Sequence, residues 1–141
     1  MAPITVLTGS PGVGVPVEGE ALVSAQGFNA RYDLDRARGI FSRPAHDLYG
    51  QSCAGKILVF AAAKGGIATS WALYDLKARG LAPAALVFRE TNPVMVQGAV
   101  FADLPLLHRL EPDPVTTIRT GDRVRLIPEE GRVEILSRAG T

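Results

Sequence analysis

Residues Lys56 to Phe88 read KILVFAAAKGGIATSWALYDLKARGLAPAALVF, and this stretch decides the fold. Lys56 to Ala63 is a continuous apolar run bounded by Gly55 and by Lys64-Gly65-Gly66, the pattern of a strand buried on both faces in the middle of a sheet. The period then changes. From Ile67 to Arg79 apolar residues recur at Ile67, Trp71, Tyr74 and Ala78, spacings that line up one face of a helix, which Leu73 and Leu76 widen. Lys77 and Arg79 suit the carbonyl end of the helix dipole, Gly80 is a C-terminal cap, and Pro83 blocks continuation. Ala84 to Phe88 is a second buried strand. Strand, glycine turn, helix and strand make a βαβ unit, whose two strands are expected to be parallel with a right-handed crossover.

The flanks carry shorter elements. Upstream, Glu20 to Ser24 reads as a short strand, Asn29 to Arg36 as a charged mixture ending in a turn at Arg38 and Gly39, Ile40 and Phe41 as the start of another strand, and Pro44 to Gly50 as a loop. Ile4 to Pro16 (ITVLTGSPGVGVP) falls from β-type residues into Gly, Ser and Pro. It reads as a flexible arm over residues 1–16 ahead of a domain spanning 17–141. Gly9, Gly12 and Gly14 lack the Gly-Lys-Ser/Thr ending of a phosphate loop, and no helix pattern follows them. Downstream, Pro93 to Ala102 is apolar and ambiguous between helix and strand, and Leu104 to Leu110 follows a turn. Val124 and Leu126 alternate with Arg123 and Arg125. After a turn at Pro128 to Gly131, Val133 and Ile135 alternate with Arg132 and Glu134, giving a C-terminal hairpin with one wet face. The fold class is α/β, with several strands around one strong βαβ unit.

Composition narrows the functional classes. The chain has 141 residues, one domain's worth, with 47% hydrophobic and 21% charged residues. Lys and Arg number 15 against 14 Asp and Glu, a balance that argues against nucleic-acid or membrane-surface partners. The single cysteine, Cys53, excludes an internal disulfide and any all-cysteine metal site built by this chain alone; His46 and His108 leave little for a histidine-based one. No apolar run approaches the ~20 residues of a membrane span. Met1 to Gly9 carries no positive side chain ahead of its apolar residues, so a cytoplasmic location is expected.

The place richest in chemistry is Ala61 to Trp71, where a buried strand meets a helix through two glycines. The first amides of a helix lack internal partners and carry the positive end of its dipole. Gly65 and Gly66 allow a ligand close to the backbone, Lys64 adds a point charge, and Thr69 and Ser70 supply hydroxyls. Lys64, Gly65, Gly66, Ile67 and Ala68 are thus candidates to cradle a carboxylate or phosphate; the same glycines also serve as a plain tight connection. Elsewhere, His46 reads as a solvated loop histidine beside Asp47, His108 as partly buried and structural, and Cys53 as a packed small residue. Asp33 and Asp35, beside Arg31, Arg36 and Arg38, read as a solvated charged edge.

Three segments in order resemble a known family: GEALVS (Gly19 to Ser24), GQSCAGKILVF (Gly50 to Phe60) and GGIATSWALYDLKARGLAPAALVFRETNPVMVQGAV (Gly65 to Val100). The likeness is to the aconitase X swivel domain and runs from about Val17 to about Leu136. It implies a swivelling β/β/α domain that acts as the small subunit of a two-chain dehydratase. That enzyme removes water from a hydroxy acid such as mevalonate 5-phosphate or cis-3-hydroxy-L-proline. An iron–sulfur or iron centre belongs to the family's large chain. The resemblance implies a serine at the helix start as proton acceptor, where Gly66 and Ile67 stand here, which leaves Thr69 and Ser70, the nearest hydroxyls and about one turn further in, as the candidate catalytic residues. A non-catalytic binding or regulatory subunit is the alternative. Phosphohistidine swivel domains share the general fold, but Trp71 stands where the phosphoryl-accepting histidine belongs. Incubation with a phosphoryl donor is therefore expected to leave no acid-labile phosphate on the chain; its appearance would restore the carrier reading.

Overall fold

A computed structural model describes residues 2–139. The elements are β1 (Thr5–Thr8), β2 (Val17–Val23), β3 (Gly27–Phe28), β4 (Leu34–Asp35), β5 (Ile40–Phe41), β6 (Ile57–Ala63), α1 (Ile67–Ala78), β7 (Ala85–Glu90), α2 (Pro93–Phe101), β8 (Leu106–His108), α3 (Pro114–Thr117), β9 (Arg123–Ile127) and β10 (Arg132–Ser137). The main sheet runs β1-β10-β9-β2-β6-β7-β8, with β3 also on β6, and β4 and β5 form a separate pair.

The sheet has two characters that meet in β2. Val17 to Glu20 pair antiparallel with β9, whereas Ala21 to Val23 pair parallel with Ile57 to Val59 of β6. Beyond β2 lie the parallel neighbours β6, β7 and β8 on one side and the antiparallel β9, β10 and β1 on the other. The βαβ unit is as expected, β6 pairing parallel with β7 across α1.

Successive side chains of a strand point to opposite faces, and β6 and β7 divide theirs between two cores. Leu58, Phe60, Leu86 and Phe88 pack with Phe28, Phe41 and the inward residues of α1 and α2. Ile57, Val59, Ala85 and Val87 pack with Leu7 and with Val124, Leu126, Val133 and Ile135 of the hairpin. Phe28 and Phe60 stack at 4.5 Å between centroids. The C-terminal hairpin pairs Val133 with Leu126 and keeps Arg123 and Arg125 exposed, which is the one wet face that the alternation predicts. The ambiguous segment from Pro93 is helical: Pro93 stands in the first turn, and Asn92 caps it by accepting from the Met95 amide at 2.8 Å.

Three expectations change. Residues 5–8, read as part of a flexible arm, form a strand with β10, and Leu7 is fully buried in the hairpin-side core. The glycine segment after it is committed too, with the Gly12 amide donating to Pro128 O at 2.8 Å and the Val13 amide to Leu106 O at 3.0 Å. Helix α1 buries a different face from the one its periodicity suggests. Thr69, Ser70, Ala72, Leu73 and Leu76 turn inward, whereas Ile67, Trp71 and Tyr74 are 69%, 66% and 51% exposed. The helix carries apolar residues on two opposite sides, so period alone cannot choose its inner one. Lastly, the loop histidine His46 and the charged-edge residue Asp33 are both buried.

Leu7→Ala removes a side chain that a loose arm would not miss. We expect a loss of about 2–4 kcal/mol in urea unfolding; a change near zero would return residues 5–8 to a loose arm.

Candidate active-site rim at the start of helix α1

Parallel strands β3, β6, β7 and β8 finish at one edge of the sheet, the edge at which ligands of open α/β sheets bind. At the end of β6 the chain passes through Lys64, Gly65 and Gly66 into α1. Gly65 has φ +94°, in the left-handed region, and a Cβ there would run into the Thr69 hydroxyl and stand 2.9 Å from Asn29 Nδ2. Only glycine suits that position. Gly66 is different. Its φ is −116°, and a Cβ would meet nothing within 4 Å. Gly66 is the N-cap of α1, and no side chain caps the helix. The Thr69 amide bonds Gly66 O at 3.0 Å, while those of Ile67 and Ala68 have no acceptor within the helix. Lys64, Gly65, Gly66 and Ile67 are exposed and Ala68 is half-buried, so the sequence-predicted cradle lies together on one open rim.

Lys64 anchors the turn by donating its amide to Phe28 O at 2.8 Å. Its stem lies back along β3: a Cβ on Gly27 would stand 2.5–3.0 Å from Lys64 Cε, Cδ and Cγ. Gly27 therefore makes the bed in which the lysine rests.

Both hydroxyl-bearing residues are largely buried. Thr69 is 2% exposed, with Oγ1 at 3.1 Å from Asn29 Oδ1 and 3.4 Å from Lys64 O. Ser70 is 8% exposed and lies against α2, where a Cβ on Gly98 would stand 2.8 Å from both Ser70 Cα and Oγ. Gly98 lets the two helices touch backbone to backbone. Thr69 and Ser70 thus hold α1 against β3 and α2.

Asn29 is the residue that sequence reasoning missed. It directly follows β3; its Oδ1 accepts from the amides of Arg31 (3.0 Å) and Tyr32 (3.2 Å) as well as facing Thr69. With its oxygen so engaged, its Nδ2 is the group turned toward Gly65, a side-chain donor beside the backbone ones. The Asn29 amide donates to Asp33 Oδ2 at 2.8 Å, and Asp33 is held from its other oxygen by Arg43 at 2.7 Å. The two-residue strand before it has no sequence signature of its own, so the visible signal is only an asparagine that opens a stretch of mixed charges.

His46 lies beneath this layer with its side chain fully buried. The Leu48 amide donates to Nδ1 at 3.1 Å, so Nε2 carries the proton and donates to Gly27 O at 3.1 Å. The ring stacks on Phe41 at 5.2 Å. His46 therefore supports β3 under the lysine bed and does not reach the rim. His108, half-buried at the end of β8, accepts from the Thr91 amide at 3.3 Å. Nearby, Arg109 grips Glu90 and Arg89 grips Asp113, and each guanidinium holds its carboxylate below the usual range. Cys53 is buried, and desolvation pushes its thiol up to about 11. It stays a thiol at neutral pH and serves as packing.

The whole is a swivel-type β/β/α domain with an open, donor-lined helix start. A profile of the aconitase X swivel domain matches residues 6–135, and the chain belongs to that family. It is 41% identical over 120 residues to the phosphomevalonate dehydratase small subunit of Methanopyrus kandleri, covering 85% of this chain and 88% of that protein. The small subunit of the same name from Pyrococcus horikoshii is 38% identical over 127 residues, covering 89% of this chain and 92% of that one. The crystal structure of Thermococcus kodakaraensis aconitase X in its holo-form superposes with a TM-score of 0.88 at 35% identity, covering 94% of this chain and 99% of the matched chain.

The buried thiol carries a pH prediction. Unfolding frees Cys53 to ionise near its ordinary pKa, whereas the folded chain keeps it protonated to about 11. The unfolded state therefore binds fewer protons between pH 9 and 11, and stability falls as pH rises through that window, by on the order of 2–3 kcal/mol from this group. Thermal unfolding of the wild type is expected to drop more steeply between pH 9 and 11 than that of Cys53→Ala. Equal slopes would mean that the thiol is not desolvated.

Proposed function

We propose that the chain is the small, swivel subunit of an aconitase X-type hydro-lyase in the cytoplasm. The enzyme dehydrates a hydroxy acid such as mevalonate 5-phosphate or cis-3-hydroxy-L-proline, and is active only with a separate large subunit. The observation that carries this reading is the uncapped, exposed start of α1, in a chain that spans nearly the full length of relatives bearing the small-subunit name.

Removing water breaks a C–H and a C–O bond and forms a C=C bond; the proton goes to a base and the hydroxyl leaves as water. Negative charge builds toward the acid group as the proton departs. Donors fixed where that charge develops stabilise it without reorganisation. The amides of Ile67 and Ala68, the glycine backbone at 65–66 and Asn29 Nδ2 are placed to receive a carboxylate or phosphate, and Lys64 supplies a mobile positive charge. We assign Thr69 and Ser70 to shaping this rim, because one hydroxyl is already bonded to Asn29 and the other is packed at Gly98. The base is then contributed by the large subunit, which closes over the rim and excludes water. The iron–sulfur or iron centre is assigned to the large subunit as well. Cys53 is buried and held as a thiol, and among the described residues no three His, Cys, Asp or Glu side chains gather to hold a metal. Among the described residues no helix is long and apolar enough to cross a membrane.

Gly66 and Ile67, standing where the family places its serine, favour a second reading, a binding subunit that has kept the fold and lost the base. Reconstitution with the large chain separates the two. The complex is expected to dehydrate one of the two acids, the isolated chain neither. Lys64→Ala is expected to raise KM about tenfold in the complex, the loss of one charge-assisted contact; unchanged KM and kcat would remove Lys64 from the site. Turnover in Gly66→Ser with none in the parent would establish the binding-subunit reading, and turnover by the isolated parent would overturn the two-chain one.

A further inference from the structure

Helix α1 has two apolar sides. Ala72, Leu73 and Leu76 enter the core, while Ile67, Trp71 and Tyr74 look out. A second apolar stripe on the outside of a helix is what a buried contact with another body requires. Across from the outer side stands Phe101 of α2, 65% exposed. With Ser70 and Gln97 these residues line a groove of about 460 Å³ that has no charged side chain in its wall. Trp71 and Tyr74 meet edge to face, 6.2 Å between centroids. Other exposed large apolar residues, such as Ile4, Val15, Tyr32 and Tyr49, lie on separate segments of the chain. Single exposed residues are ordinary; a contiguous uncharged patch on two packed helices marks an interaction surface.

The geometry points to this groove as the seat of the large subunit, which presents to it an uncharged segment with an aliphatic or aromatic side chain seated between Trp71 and Phe101. The inference rests on the two-chain reading above. Continuity selects the occupant. Ile67 belongs both to the groove and to the rim, and Ser70 lies within the first turn of the same helix. A body that closes a cavity over the amides of Ile67 and Ala68 must stand on the Ile67 side chain, and Trp71 is its neighbour one turn on. A second copy of this chain seated on the same face would cover the helix start and shut the site instead of completing it. Trp and Tyr are also the residue types that most often anchor interfaces.

The test is a titration of the chain with the purified large chain of an aconitase X-type dehydratase from the same genome. The double variant Trp71→Glu/Phe101→Glu alters only exposed side chains, and circular dichroism and thermal unfolding check that it folds. It is expected to bind the large chain at least about 100-fold more weakly than wild type. Dehydratase activity of the mixture should be lost at low concentration and regained as the variant is raised. Val15→Glu, elsewhere on the surface, should bind as wild type does. If the double variant does not fold, Trp71→Ala serves, with a loss of about tenfold expected. Wild-type binding that survives the substitutions unchanged overturns the docking site and leaves the two-chain reading standing. No binding by the wild type removes the two-chain reading, and the docking site falls with it. A wild-type dimer that the substitutions abolish, with affinity for the large chain untouched, makes a second copy the occupant and overturns the assignment.

Discussion

The burial of β6 on both faces constrains everything around it. Ile57 and Val59 are packed from one side and Leu58 and Phe60 from the other, so the strand has no solvent face along which it could shift or fray. The chain leaves it by the left-handed turn at Gly65, and α1 folds back over the Phe60 and Phe88 side. The helix begins straight out of that turn with no side chain capping it, so its first amides are left facing outward. The position of that opening is fixed from below by a chain of polar contacts that runs from the surface residue Arg43 through the buried Asp33 and half-buried Asn29 to the buried Thr69. Such a chain of directional contacts ties the start of α1 to the end of β3.

The two glycines of the turn are not equivalent. The backbone requires Gly65, because φ is positive and the space for a side chain is already filled by Thr69 and Asn29. Nothing in the fold requires Gly66, which has an ordinary extended φ and open space beside it. Neither a left-handed φ nor crowding accounts for a glycine at 66, in contrast to Gly65.

Much of the architecture was readable in the residues. The βαβ unit announces itself through a change of period bracketed by glycines, and the hairpin through strict alternation. The rim residues Lys64 to Ala68 follow from the same punctuation, and they do lie together on an exposed edge. What could not be read has physical causes. Strand β1 is four residues long and its partners lie at the far end of the chain, at Arg132 to Ile135, so its order depends on a contact that local pattern does not carry. The inner face of α1 does not follow from period, because a helix with apolar residues on two sides offers two equally periodic solutions. His46 sits in a polar stretch that reads as loop, yet its ring fills the space between Phe41 and the Gly27 carbonyl. Asn29 gains its place only through the fold that brings the end of β3 beside the start of α1.

The divided pairing of β2 has a mechanical consequence. One continuous strand is stitched to the antiparallel half-sheet by its first four residues and to the parallel half-sheet by its last three. Sliding one half past the other would tear ladder bonds in both. The two half-sheets are therefore locked into one plate, and β2 is the seam that resists any shear between them.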